Sequence, residues 1–354
     1  MTSRIIPRNA LVTGALDPLC PMLEPLRTPP PQARPKTRGV DLVAADLERV
    51  ESELERLLDS RVAILPTIGS HVVDAGGKRL RPLITLLAAT AAGVQGGDPV
   101  TVAAVGELIH TATLLHDDVV DTGEFRRGRP SARLRFGNGL AVLAGDFCFA
   151  RALAAVSSTR NPQVVARLAA TVTHMAEGEI AQLANAGGTT LDRAGYYAII
   201  DGKTGTLFSW CATVGGLVGA EFDGPLTAFA RELGFAFQIA DDVLDYSAHA
   251  EVSGKTPARD LRDGKVTLPL LLACETDPKL AGDVEKLLQS GPPLGDANVE
   301  AILDRVLATD ALPASLRTAK NHAESAIAHI MTLPSSPART ALIELARGSA
   351  ERRR

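Results

Sequence analysis

The chain has 354 residues, 45% of them hydrophobic, which is enough to bury one large core or two modest ones. A net charge of −4 excludes a general attraction to nucleic acid or to anionic membranes, so any basic function must be local. Aromatic residues make up only 4%, and Ala and Leu prevail over alternating β-branched runs, a balance that favours an all-α protein. Cys20, Cys148, Cys211 and Cys274 are scattered without CxxC spacing and read as small apolar residues in a reducing cytoplasm.

Residues 1–38 combine clustered prolines (Pro29 to Pro31, Pro35) with a basic excess and predict a disordered tail, which leaves residues 39–354 as one helical domain. From Val40 the spacing of Val43, Leu47, Val50, Leu54 and Leu57 predicts an amphipathic helix, and Pro66 is expected to end or kink the next one. A Gly76-Gly77 break then leads to a basic run and an apolar helix from Leu83. Further helices are predicted over Thr101–Asp121, Gly139–Ser157, Pro162–Ala186, Ala194–Ala220, Pro225–Tyr246 and Leu268–Glu275, with two or three more beyond Ala281. Uncharged stretches such as Thr204 to Ala220 are short for a membrane span, so no transmembrane segment is expected.

Two pentapeptides carry the chemistry: Asp117-Asp118-Val119-Val120-Asp121 and Asp241-Asp242-Val243-Leu244-Asp245. Each comes after an apolar helical run, so its first and last Asp, four residues apart, project from one helical face. Carboxylates this close repel one another unless a cation neutralises them, and hard Mg²⁺ takes oxygen ligands from carboxylates, water and phosphates. Two such clusters facing across a cavity suit a metal-bound diphosphate. Cations stand nearby: Lys78, Arg79 and Arg81 after the Gly-Gly break, Arg126 and Arg127 after the first cluster, and Lys255 and Lys265 flanking Asp260 after the second. Lys203 and Thr204 sit near the start of an apolar helix, and Gln238 lies one turn before Asp241. No nucleophile–base pair stands out. His116 reads as a hydrogen-bonded helix histidine, and His174 with Glu177 to Glu179 as a helix interface.

GGKRLRP, LLHDDVVD, RRGRP, GDFCFARA, GEIAQL, DGKTGTL, GFAFQIADDVLD and DGKVTLPLLL occur in the order seen in trans-isoprenyl diphosphate synthases. The chain therefore resembles the polyprenyl synthetase family from about Asp41 to beyond Leu270. The resemblance implies a barrel-like helical bundle around a deep apolar cavity, usually a homodimer. It implies metal ligation by Asp117, Asp121, Asp241 and Asp245 with three Mg²⁺ ions, and a catalytic set of Asp117, Asp118, Asp121, Lys203, Asp241 and Asp242. Isopentenyl diphosphate maps to Lys78, Arg81, His110 and Arg127. The allylic diphosphate maps to Arg126, Lys203, Thr204, Gln238, Lys255 and Lys265. One departure is Ala258, where the family's GKxxGxD loop carries Gly.

The implied reaction ionises the allylic diphosphate and adds isopentenyl diphosphate to the cation. The rivals are a non-catalytic subunit, which degraded acidic motifs would mark, and a terpene cyclase, which typically lacks the second DDxxD. Short-chain members of the family place a bulky aromatic four or five residues before the first motif. Here Thr113 and Ala112 hold those positions, with Ile109 and Gly106 deeper, so a long-chain product for quinone or related isoprenoid synthesis is expected over farnesyl or geranylgeranyl diphosphate.

Overall fold

The computed structural model describes residues 38–74, 79–95, 98–121, 123–126, 128–185, 192–247, 257–291 and 294–351, which lie in one compact unit. The expected tail, Arg38 apart, falls outside these residues. The described chain is all-α apart from an antiparallel pair, β1 (Phe125–Arg126) and β2 (Arg129–Pro130).

Helix α1 (Arg38–Leu42) leads into α2 (Ala44–Leu58), which buries Leu47, Val50, Leu54, Leu57 and Leu58 as its periodicity requires. Pro66 does not break the next helix. It lies in the first turn of α3 (Ile64–Val73), where an amide donor has no intrahelical partner to lose. Helix α4 (Leu80–Ala91) is apolar on nearly every side. Helix α5 (Pro99–Val120) starts at Asp98, whose carboxylate accepts from the Val100 and Thr101 amides with Pro99 behind it, a strong N-terminal signal. Almost every residue of α5 from Val100 to Ala112 is buried. It runs through the centre of the main core, and its last turn carries the first acidic motif.

After the hairpin come α6 (Ala132–Phe136), α7 (Asn138–Ser157) and α8 (Pro162–Asn185). By length and composition α7 could cross a membrane, but α5 and α8 pack against it and its other face is exposed. The single helix expected over Ala194–Ala220 is in fact several pieces. These are α9 (Arg193–Ile200), a π-helical turn over Asp201–Gly205 and α10 (Thr206–Ala212), closed by a short 3₁₀ turn. Gly215 and Gly216 take φ of 64° and 95°, a left-handed backbone that no helix can run through.

Helix α11 (Ala220–Ser247) extends five residues upstream of Pro225 and ends in the second acidic motif. Beyond it lie α12 (Arg259–Arg262), α13 (Leu268–Thr276), α14 (Pro278–Gln289), α15 (Asp296–Leu307), α16 (Ala311–Ile330) and α17 (Pro337–Ala350). Helix α16 lies along α11. A smaller core under α12 to α15 includes Tyr246 and Ala258, so it supports the end of α11 that bears Asp245.

Candidate active site

The two acidic motifs have the same pattern of exposure. Asp117, Asp121, Asp241 and Asp245 are half-buried, while the middle residues Asp118 and Asp242 are each 3% exposed. Both middle carboxylates are held by protein donors. Asp118 Oδ1 accepts from Arg126 Nε at 2.7 Å, and its Oδ2 accepts from the Ala132 amide at 2.7 Å. Asp242 Oδ2 accepts from the Tyr196 hydroxyl at 2.6 Å, and its Oδ1 accepts from Gln238 Nε2 at 2.9 Å. With both oxygens so engaged, the middle residues orient the helix ends; of the outer residues, Asp245 Oδ2 accepts from the Asp260 amide at 3.1 Å.

Two half-buried lysines pair with acids near these helix ends. Lys265 Nζ, from the segment after the second motif, donates to Asp121 Oδ1 at 3.0 Å. Lys203 Nζ donates to Glu179 Oε2 at 3.0 Å. Burial would lower the Lys203 ammonium, but Asp117 and Glu179 outweigh it and hold the pKa above its ordinary value. Burial pushes the Asp117 carboxyl up to about 6 against the pull of Lys203, with Glu179 and Asp121 adding repulsion. Burial also raises Asp242, Asp245 and Asp260, the charge of Asp260 adding to the first two.

Close backbone approach sets Lys203 and Thr204 in place. A Cβ on Gly178 of α8 would lie 2.9 Å from Gly202 Cα, and one on Gly234 of α11 would lie 3.1 Å from Gly205 Cα. The π turn is thus wedged between α8 and α11 at a separation only glycine permits. Thr204 Oγ1 then reaches Gln238 Oε1 at 3.1 Å.

Of the other expected residues, Arg81 stacks its guanidinium over the Phe208 ring, 5.2 Å from the centroid. His110 is half-buried on α5, and its carbonyl accepts from the Thr113 hydroxyl. Lys78, Arg127 and Lys255 lie outside the described residues. Thr113 is half-buried, whereas Ala112 and Ile109 are fully buried, and a Cβ on Gly106 would meet Cys211 Sγ at 2.7 Å. Close packing against α10 therefore accounts for glycine at position 106. His116 has the bonded role expected of it, with Nε2 on the Val142 carbonyl at 3.1 Å and 3.3 Å from Asp146.

Several contributors escaped the sequence. Glu179 was read as part of a helix interface, but it pairs with Lys203, and its buried Oε1 has no partner among the described residues. The one signal for it was its place in the GEIAQL motif. Tyr196 had no local signal. Arg79 has φ of 46°, and its guanidinium binds Glu51 at 2.7 and 3.0 Å and Glu107 at 3.2 Å, so it anchors the turn into α4. Ala258 also takes the left-handed backbone, φ 52°, which explains why the corresponding loop position of the family favours Gly.

The carboxylate donor set fits a hard divalent cation. Among the described residues no three His, Cys, Asp or Glu side chains form a compact cage. Carboxylates spread along two helix ends suit a cation that completes its shell with water and phosphate oxygens.

The sequence pattern of the family described as polyprenyl synthetase matches residues 62–306. The chain belongs to the polyprenyl synthetase family. It is 39% identical over 318 residues to octaprenyl diphosphate synthase of Escherichia coli K12, covering 89% of this chain and 98% of that protein. The crystal structure of a polyprenyl synthase from Caulobacter crescentus CB15, complexed with calcium and isoprenyl diphosphate, superposes with a TM-score of 0.84 at 38% identity. It spans 91% of this chain and 100% of its own. A decaprenyl diphosphate synthase from Rhodobacter capsulatus gives a TM-score of 0.82 at 35% identity, over 89% and 98% of the two chains.

Proposed function

We propose that this chain is a prenyltransferase, a trans-polyprenyl diphosphate synthase that condenses isopentenyl diphosphate with an allylic diphosphate to give a long-chain product. The observation that carries the reading is the contact of Lys265 with Asp121, which joins the segment after the second acidic motif to the end of the first. Asp117, Asp121, Asp241 and Asp245 would hold divalent cations, three Mg²⁺ ions in our reading, which supply Lewis-acid stabilisation of the leaving diphosphate. Lys203, Lys265 and Arg126 lie where they can transfer their charge from carboxylates to diphosphate oxygens, with Thr204, Gln238 and Lys255 completing that subsite. Lys78, Arg81, His110 and Arg127 hold isopentenyl diphosphate, whose double bond attacks the allylic carbon as its C–O bond to diphosphate breaks; the new cation then loses a proton to the departed diphosphate. The closely packed apolar helices exclude water that would trap the cation as an alcohol. No protein nucleophile is required.

The comparisons support the long-chain reading, because the relatives named are octaprenyl and decaprenyl synthases. Intact acidic motifs argue against a non-catalytic subunit. Residues 39–354 form the synthase domain, with residues 1–38 as a dispensable tail, and the protein works in the cytoplasm. The exposed face of α7 carries Leu140, Val142, Leu143 and Leu153, and Ile180 and Leu183 of α8 are exposed as well, an area apolar enough to join two copies in a homodimer.

Purified protein with Mg²⁺, labelled isopentenyl diphosphate and each allylic primer should yield a product longer than geranylgeranyl diphosphate, read by mass. A product of farnesyl or geranylgeranyl length would refute the long-chain assignment. No product with any primer would refute the activity.

A further inference from the structure

The middle carboxylate of the second motif is held by two neutral donors in a dry part of the fold. Tyr196 is 5% exposed and Asp242 is 3% exposed. The Tyr196 hydroxyl, on α9, meets Asp242 Oδ2 at 2.6 Å across 46 residues of sequence. Gln238 has its Nε2 on the other oxygen of Asp242 at 2.9 Å and its Oε1 on the Thr204 hydroxyl at 3.1 Å. Thr204 comes directly after Lys203 in the π turn that continues from α9. The chain of bonds Tyr196–Asp242–Gln238–Thr204 therefore closes a ring: α9 and the π turn grip the end of α11 at two points.

We propose that Tyr196 is a positioning residue of the second acidic motif. Its hydroxyl fixes the rotation of the last turns of α11, so that Asp241 and Asp245 stay aimed at the diphosphate site while Lys203 is held in register with them. The inference rests on the reading of the paired acidic motifs as a metal–diphosphate site. The hydroxyl donates to a buried carboxyl oxygen, and its loss leaves that oxygen without its donor.

The neighbouring residue supplies an internal control. Tyr197 lies on the same helix and packs edge-to-face against Tyr196 with ring centroids 5.5 Å apart. Its hydroxyl bonds His322 Nε2 at 3.0 Å, and His322 Nδ1 bonds Glu232 at 2.6 Å, a relay that leads away from Asp242. Both tyrosines contribute ring packing, but only Tyr196 touches the acidic motif.

The experiment compares wild type, Tyr196→Phe and Tyr197→Phe. It measures thermal midpoint, binding of Mg²⁺ with inorganic pyrophosphate by calorimetry, and steady-state kcat and KM for each substrate. Tyr196→Phe should bind Mg²⁺–pyrophosphate roughly tenfold more weakly and lose about tenfold or more in kcat, the cost of one buried hydrogen bond left unmade. Its KM for isopentenyl diphosphate should stay at the wild-type value, and Tyr197→Phe should match wild type in both binding and kcat. Wild-type binding and kcat in Tyr196→Phe, whatever its midpoint, would overturn the proposal. So would equal losses in both variants, which would trace the effect to ring packing. If Tyr196→Phe does not fold, Asp242→Asn replaces it. That change leaves two donors facing an amide, and the same pattern is expected; wild-type binding there would overturn the proposal as well. A wild type that makes no product with Mg²⁺ would remove the underlying site reading and this inference with it.

Discussion

The two acidic motifs share a sequence pattern and an exposure pattern, yet the protein anchors them in opposite ways. At the first, the buried Asp118 is met by a charged guanidinium and a backbone amide, both from the segment within 14 residues downstream of it. At the second, the buried Asp242 is met by a phenol from a distant helix and a carboxamide one turn away. A charged partner offsets the cost of burying a carboxylate, whereas neutral donors offset only part of it. The first motif is thus a local assembly with its own counter-charge, and the second depends on how α9 packs against α11.

The largest effects should come from the residues the motifs have in common. Asp117→Ala and Asp241→Ala should each abolish turnover by roughly a thousandfold or more, the several kcal/mol of charge stabilisation that a lost metal ligand removes. Far-ultraviolet circular dichroism should be unchanged. Near-normal activity in either variant at saturating Mg²⁺ would break the equivalence of the two motifs.

The anchors should then separate the motifs. Arg126→Ala strips the counter-charge from Asp118 and should lower stability by about 3 kcal/mol in urea melts. Gln238→Leu removes a neutral partner and should cost about 1–2 kcal/mol. A reversed order would mean that the guanidinium is not what offsets the burial of Asp118.

Product length tests the α5 side. Thr113→Phe, at a half-buried position, should shorten the product by several isoprene units while isopentenyl transfer continues. Ala112 is fully buried, so Ala112→Phe must displace core atoms as well and should also lower the thermal midpoint. An unchanged length distribution in Thr113→Phe would move the tunnel floor elsewhere.

Acid sharpens the comparison further. Asp117 is raised to about 6 by burial, against an ordinary carboxylate value of about 3.9. The folded state therefore binds a proton more tightly than the unfolded state. This group's destabilisation is complete above about pH 6 and fades as pH falls towards 4. The thermal midpoint of metal-free protein should have a component that rises from pH 7 to pH 5, and Asp117→Asn should flatten it. An identical slope in the variant would show that Asp117 is not the group responsible.

The smallest effect is at the loop after the second motif. Ala258→Gly relieves a left-handed backbone costing about 1–2 kcal/mol but deletes a fully buried methyl worth about 0.8 kcal/mol. A gain of up to about 1 kcal/mol is expected in urea melts, and a clear loss would mean that packing outweighs strain there.

Much of the site was legible because its groups lie close in sequence. The acidic pentapeptides, Arg126 and the Lys203-Thr204 pair all belong to short runs whose chemistry is visible in a line of text. The break of the expected 194–220 helix was missed because a helix-compatible composition masked the φ of Gly215 and Gly216. Glu179 was missed because an acid on a helix is ordinarily solvated. Only the approach of α8 to the π turn, glycine against glycine, brings it to Lys203.

By itself the sequence determined the helical class, the identity of the half-exposed carboxylates and the supply of cations near them. These come from composition, periodicity and charge over spans of a few residues. The tertiary structure alone decided which carboxylate oxygens are already taken, that Lys265 reaches Asp121, that Arg79 faces into the fold and that Tyr196 holds Asp242. Hydrogen bonds require atoms within about 3 Å in a fixed direction. No local pattern of residues sets such distances between segments tens of residues apart; the packing of whole helices does.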